Sequence, residues 1–329
     1  THTKQKQHNG KSVLRWMPIL AAAALVAAPV AAQEWSGAIG AAYLWQNEDG
    51  NVDTFRSQFN LREGAQLEDL TVNYNGADGA VSAFSLDAWG FGDANPAEAA
   101  RLRLDLDAGI RFAIDYDNRA SFFNLAAGDL SERRDDWTIQ RLRGELTIDA
   151  WRPVSFSLIY RTIDRDGTVR RTLYGLNERY PIGVNLDQSM QEVAFRLVTR
   201  TLPVRIQFEQ AMTDYERANR PFATGDEAVG GDPDELTAIS STAVQKMSGV
   251  PTTRLIASYS SRRFEGALAL LGRSAELEGS GAINQTFAVG GGDTGTIESI
   301  DNILSAADQD TMSGRLSLGY LIAPRWAIR

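Results

Sequence analysis

Apolar and polar residues alternate along most of this chain with a period of two, in segments of about ten residues. Ile110, Phe112, Ile114 and Tyr116 share one side, with Arg111, Ala113, Asp115 and Asp117 on the other. Leu142, Gly144, Leu146 and Ile148 alternate with Arg143, Glu145, Thr147 and Asp149, and Val154, Phe156, Leu158 and Tyr160 extend the theme. Further on, Val193, Phe195 and Leu197, then Val204, Ile206 and Phe208, and finally Leu316, Leu318, Tyr320 and Ile322 repeat it. Successive side chains of a strand point to opposite faces, so each segment presents one apolar and one polar or charged face.

A soluble sandwich alternates in the same way, and the connections separate the two. Short turns are expected at Asp107-Ala108-Gly109, Trp151-Arg152-Pro153, Thr201-Leu202-Pro203, Ser261-Arg262 and Ala323-Pro324-Arg325. Between those hairpins the polar stretches near 121–137, 165–189, 215–252 and 273–311 read as long loops. Short turns on one side and long loops on the other are how outer-membrane barrels are built, with aromatic residues gathering at strand ends. Trp35, Tyr43, Trp45, Tyr74, Tyr116, Trp151, Tyr160, Tyr215, Tyr259, Tyr320 and Trp326 fit such girdles. The expected fold is therefore all-β, a transmembrane antiparallel up-and-down β-barrel.

Strands are expected at 35–46, 67–75, 80–90, 101–106, 110–120, 138–150, 154–164, 190–200, 204–214, 253–260, 263–272 and 312–322, with another starting at Arg325. Phe55 to Leu61 is placed in the first outer loop or inside the lumen, to keep the short turns on one side. Bacterial single-chain barrels close on even numbers, so about thirteen strands imply the N-terminal part of a larger barrel.

The first 32 residues read as a secretory signal peptide. Lys4, Lys6, Lys11 and Arg15 precede a short apolar run from Met17 to Val26, and Val30 and Ala32 suit cleavage before Gln33. The run is too short to span a bilayer. Residues 33–329 are then the barrel domain, bound for the outer membrane of a Gram-negative cell. Four of the 33 Lys and Arg and none of the 42 Asp and Glu fall in the leader, so the remainder carries a formal net charge of −13. Such a balance disfavours nucleic acid as a partner.

Cysteine is absent, and both histidines, His2 and His8, lie in the leader. Catalysis by Ser-His or Cys-His pairs, imidazole metal sites and covalent or axial haem attachment all need those residues. No enzyme, metal site or cofactor of its own is expected of this chain.

What remains for function is the charged side of the strands. Arg103, Asp105, Arg111, Asp115, Arg143, Glu145, Arg161, Arg196, Arg205 and Glu209 fall on it, with Arg repeatedly beside Asp or Glu. This pattern reads as a ladder of salt bridges stiffening a wet lumen wall, or as a wall that grips a charged guest or filters ions. Asp164-Arg165-Asp166-Gly167-Thr168 has carboxylates two apart before a glycine, but lacks the later Glu of a calcium loop, and reads as a plain turn. Gly225 to Glu235 and Gly290 to Asp293 read as solvated loops.

The order of features from about Thr54 to Asn219 resembles a known family. Phe55-Arg56-Ser57-Gln58-Phe59 precedes Glu63-Gly64-Ala65-Gln66-Leu67-Glu68-Asp69-Leu70. A Gly92-Asp93 loop, the strand with Ile114-Asp115-Tyr116-Asp117, and Pro181 through Asp187 follow, before a strand pair reaching Tyr215 and Asn219. The chain resembles the MtrB/PioB family, whose barrels are often of about 26 strands. That resemblance implies an outer-membrane sheath around a periplasmic multihaem c-type cytochrome, with haem held by the partner inside the barrel. Some members carry a cysteine pair near the mature N-terminus, and this chain does not. A general diffusion porin or substrate channel is the alternative expectation.

Overall fold

Alternation over this many segments can bury backbone polarity only if neighbouring strands pair side by side, and that is what the chain does. The computed structural model describes residues 34–45, 56–57, 60–76, 79–124, 134–149, 153–175, 178–199, 204–223, 235–261, 263–289, 293–323 and 326–328. The first 32 residues, expected to be a signal peptide, most of the short-turn residues and most of the two glycine-rich acidic stretches lie outside the described residues.

Thirteen strands form one sheet in sequence order: β1 Glu34–Leu44, β2 Gly64–Asn75, β3 Val81–Trp89, β4 Ala97–Leu106, β5 Ile110–Asn124, β6 Arg134–Ile148, β7 Val154–Gly175, β8 Glu178–Thr199, β9 Val204–Ala223, β10 Glu235–Ser260, β11 Phe264–Val289, β12 Asp293–Ala323 and β13 Trp326–Ile328. Each strand runs antiparallel to its sequence neighbours. The architecture is all-β, antiparallel and up-and-down, as the alternation implies.

Register carries the alternation from strand to strand. Trp35 faces Tyr74, which faces Phe84, then Leu104, Phe112, Leu146, Leu158 and Phe195, one apolar row across eight strands. Lower rows continue it through Ile206, Ala257, Leu268 and Leu316. At the β1–β4 end the apolar side chains also cover one another. Tyr74, Phe84 and Leu86 are buried, with Leu70, Val72, Leu102 and Leu104 packed against them, and the Trp35 ring lies 4.6 Å from that of Tyr74. Elsewhere Leu158, Tyr160, Val193, Ile206, Leu316, Leu318 and Tyr320 on the same face are exposed.

The turn at Asp107-Ala108-Gly109 forms as expected: Gly109 has φ +73° and donates to the Leu106 carbonyl at 3.1 Å. The long connections do not. Much of each stretch read as loop is strand, with β7 running to Gly175 and β8 restarting at Glu178, β9 reaching Ala223, and β11 and β12 meeting across 290–292. Past the apolar belt the face that continues it turns polar in β7, at Thr162, Asp164, Asp166 and Thr168, while Val169, Ile182 and Leu186 are buried on the other side, so the alternation lapses while backbone pairing continues. β4 likewise begins earlier than expected, at Ala97.

One local expectation is corrected and another is narrowed. Asp164 to Thr168 is no turn but lies mid-strand in β7, facing β6. Its carboxylates accept from Thr162 and Thr138 at 3.1 and 2.9 Å. Gly167, at φ +144°, lets the backbone pass Trp137, since an added Cβ would lie 2.4 Å from both the Asp136 carbonyl and the Trp137 Cα. Of the two placements expected for Phe55 to Leu61, its described residues take the first: they lie in the connection between β1 and β2 and pack against β5 on the apolar side of the sheet, not on the charged one. The Arg56 guanidinium sits 3.7 Å from the Phe122 ring centre, Phe122 shares the face of Phe112, and the Asn60 amide donates to the Ala120 carbonyl.

Gly167→Val should destabilise the folded sheet by about 1–3 kcal/mol in urea unfolding of the full-length protein, because both strain and overlap follow. Gly144→Ala, where an added Cβ meets nothing within 4 Å, should stay within roughly 0.5 kcal/mol of the parent. Equal losses would contradict the strand assignment at Gly167.

Candidate functional site: an ion-paired charged face

The face opposite the apolar belt carries three rows. Uppermost, Asp87, Arg101, Asp115, Arg143, Arg161 and Glu192 succeed one another across β3 to β8. Lowest, Asp105, Arg111, Thr147, Ser157, Arg196, Glu209 and Arg254 run across β4 to β10. Between them runs a row of Arg103, Ala113, Glu145, Ile159, Ala194 and Ala211 across β4 to β9, whose last three members pack together and are almost fully buried. The long charged side chains of the flanking rows lie over that floor, keeping stems apolar and heads wet.

Within this face the carboxylates are shared. Asp115 takes Arg103 at 3.2 Å and Arg101 at 4.0 Å. Glu145 takes Arg143 at 2.6 Å and Arg196 at 3.5 Å. Glu209, with 6% of its side chain exposed, takes Arg196 at 2.8 Å and Arg254 at 3.8 Å. Arg111 pairs with Asp149 and Arg161 with Glu192. Nearer the outer end Asp117 takes Arg119 and Arg141 at 3.1 and 3.4 Å.

Eight of the ten residues that the sequence nominates line one concave basin of about 730 Å³: Arg103, Asp105, Arg111, Asp115, Arg143, Glu145, Arg196 and Arg205. The other two, Arg161 and Glu209, sit at its border, in pairs with Glu192 and with Arg196. Hydroxyls complete the floor, and sequence reasoning passed over them. Thr147 and Ser157 meet oxygen to oxygen at 2.8 Å, and Ser155 donates to Asp149. Their odd positions on β6 and β7, in phase with Arg143 and Arg161, were the available signal. Among the described residues no cluster of His, Cys, Asp or Glu could hold a metal ion.

Neither a family model nor a curated protein matches this sequence. Two solved structures resemble the fold. The ferric-catecholate import receptor Fiu of Escherichia coli K12, in its closed form, superposes with a TM-score of 0.53 at 11% identity, over 79% of this chain and 47% of the receptor. The ferric yersiniabactin uptake receptor FyuA of Yersinia pestis gives a TM-score of 0.48 at 12% identity, over 80% of this chain and 43% of that one. The chain thus spans about half the length of the receptors it resembles. The fold is that of an outer-membrane β-barrel wall, and at such low identity the likeness is one of fold alone.

Arg196→Met removes the partner of a nearly buried Glu209 and should cost about 2 kcal/mol in urea unfolding of the full-length protein. Arg254→Met removes a guanidinium that is 48% exposed and should cost less than about 0.5 kcal/mol. A reversed order would show that Glu209 depends on Arg254 instead.

Proposed function

We propose that this chain is wall material of a Gram-negative outer-membrane β-barrel, whose charged face lines a wet lumen and sheathes a periplasmic multihaem c-type cytochrome. The observation that carries this reading is the back-to-back pairing of an apolar row eight strands wide with rows of shared ion pairs. In hydrocarbon the strands need every backbone group paired and an apolar exterior, and the first face supplies that exterior. The second face is hydrated and cross-linked by guanidinium–carboxylate pairs, which suits contact with a water-soluble protein better than with acyl chains.

The resemblance to the MtrB/PioB family over Thr54 to Asn219 supplies the identity of the guest. The residue inventory fits a sleeve rather than a haem carrier: there is no cysteine, and the two histidines fall in the leader. In this arrangement electrons pass between haems of the guest, while the barrel keeps lipid away and fixes the guest across the membrane.

A substrate channel is the second reading. A basin of about 730 Å³ within the charged face is in the size range of a small-molecule site, and arginine-lined walls filter anions.

The full-length protein, purified from its native outer membrane in mild detergent, should show a Soret band close to stoichiometric with barrel, lost when the barrel is unfolded. A colourless barrel that conducts ions across a planar bilayer would overturn the sheath and leave the channel.

A further inference from the structure

The basin has a sign. Its lining holds five arginines against three carboxylates, in a chain whose charge beyond the leader is strongly negative. The carboxylates cannot neutralise the excess, because Asp115 and Glu145 are each divided between two guanidiniums. Bringing in the next neighbours leaves the surplus unchanged: Asp149 and Glu209 add two acids, while Arg101 and Arg254 add two bases. Arg205 is exposed, lines the basin, and has no carboxylate in ion-pairing reach among the described residues.

The surplus is spread out rather than focused. Arg103 stands on β4 and Arg205 on β9, five strand spacings apart, roughly 24 Å across the sheet, and Arg205 lies six residues along β9 from Ala211, which is level with Arg103, a further ~20 Å. A single phosphate or carboxylate cannot meet both ends, whereas an extended acidic peptide of about nine residues covers the diagonal. Guanidinium forks bind carboxylates bidentately, and a wall already organised by ion pairs offers them with little ordering cost.

We infer that the basin is a docking site for an acidic polypeptide segment of the partner inside the lumen, held at one end by Arg205 and at the other by Arg103, which has only a share of Asp115. This rests on the reading that the charged face lines a lumen with a protein guest, and it adds the chemistry of the guest's contacting surface. The overall negative charge of the chain makes the inference discriminating, since without the basin a polyanion would be repelled.

The test uses full-length protein produced in cells that lack multihaem cytochromes, solubilised in detergent, and a fluorescent octamer of glutamate followed by anisotropy. The octamer should bind saturably at about 50 mM NaCl and be released near 0.5 M, where screening shortens to about 4 Å. Arg205→Glu should weaken binding several-fold, and Arg103→Glu with Arg205→Glu by at least roughly tenfold. Lys246→Glu, on a different stretch of the sheet, should leave it unchanged. Absence of saturable binding, or equal loss with Lys246→Glu, would overturn the inference, as would retention in the double variant. Octamer binding by a barrel that never copurifies with haem would keep the basin and remove the sheath; a haem-bearing native barrel with no octamer binding would do the reverse.

Discussion

In-register antiparallel pairing is the constraint on which everything else rests. Because side chains alternate with a strict period of two, pairing Phe112 with Leu146 and Leu146 with Leu158 commits Asp115, Arg143 and Arg161 to the opposite side. A slip of one residue between β6 and β7 would drive Arg161 into the apolar belt and expose Leu158 on the charged face. Such a slip would be costly on both faces at once, so two weak sequence patterns together specify one strong register. The tight turn at Gly109 and the two-residue gap between Gly175 and Glu178 leave little slack for any other alignment.

The charged face follows from that register and not from local attraction. Exposed ion pairs stabilise by only about 0–1 kcal/mol each, so Arg119 with Asp117 or Arg171 with Asp135 cannot hold strands together. What they do is orient. Sharing one carboxylate between two guanidiniums fixes long side chains over the apolar floor of Ile159, Ala194 and Ala211, and leaves positive charge over. The result is a face of mutually held guanidiniums and carboxylates, backed by an apolar face.

How much of this was legible in the sequence depends on whether one face of a strand is apolar. Where it is, as in β5 to β9 near the belt, alternation identified the strands and the ten charged positions on the opposing side. Where the belt side turns polar the signal vanishes: the continuations of β7 beyond Asp164 and of β11 beyond Gly272 read as loops although they pair with β8 and β12. Asp164 to Thr168 looked like a turn because Asp and Gly favour turns in isolation, while tertiary pairing with β6 holds them extended. The basin, the sharing of carboxylates and the isolation of Arg205 depend on which strand lies beside which and on curvature, and no linear pattern carries those. The contact of Arg56 with Phe122 is a long-range event of the same kind.

The most direct test of the two-faced wall exploits a chain with no cysteine. Single cysteines placed one at a time from Leu142 to Ile148 in β6 of the full-length protein, spin-labelled and reconstituted in lipid vesicles, report collisions with membrane-dissolved oxygen and with a water-soluble nickel chelate. The account predicts an oxygen-rich signal at Leu142, Gly144, Leu146 and Ile148, and a nickel-rich signal at Arg143, Glu145 and Thr147. Nickel access at every position, or alternation in the opposite phase, would contradict it.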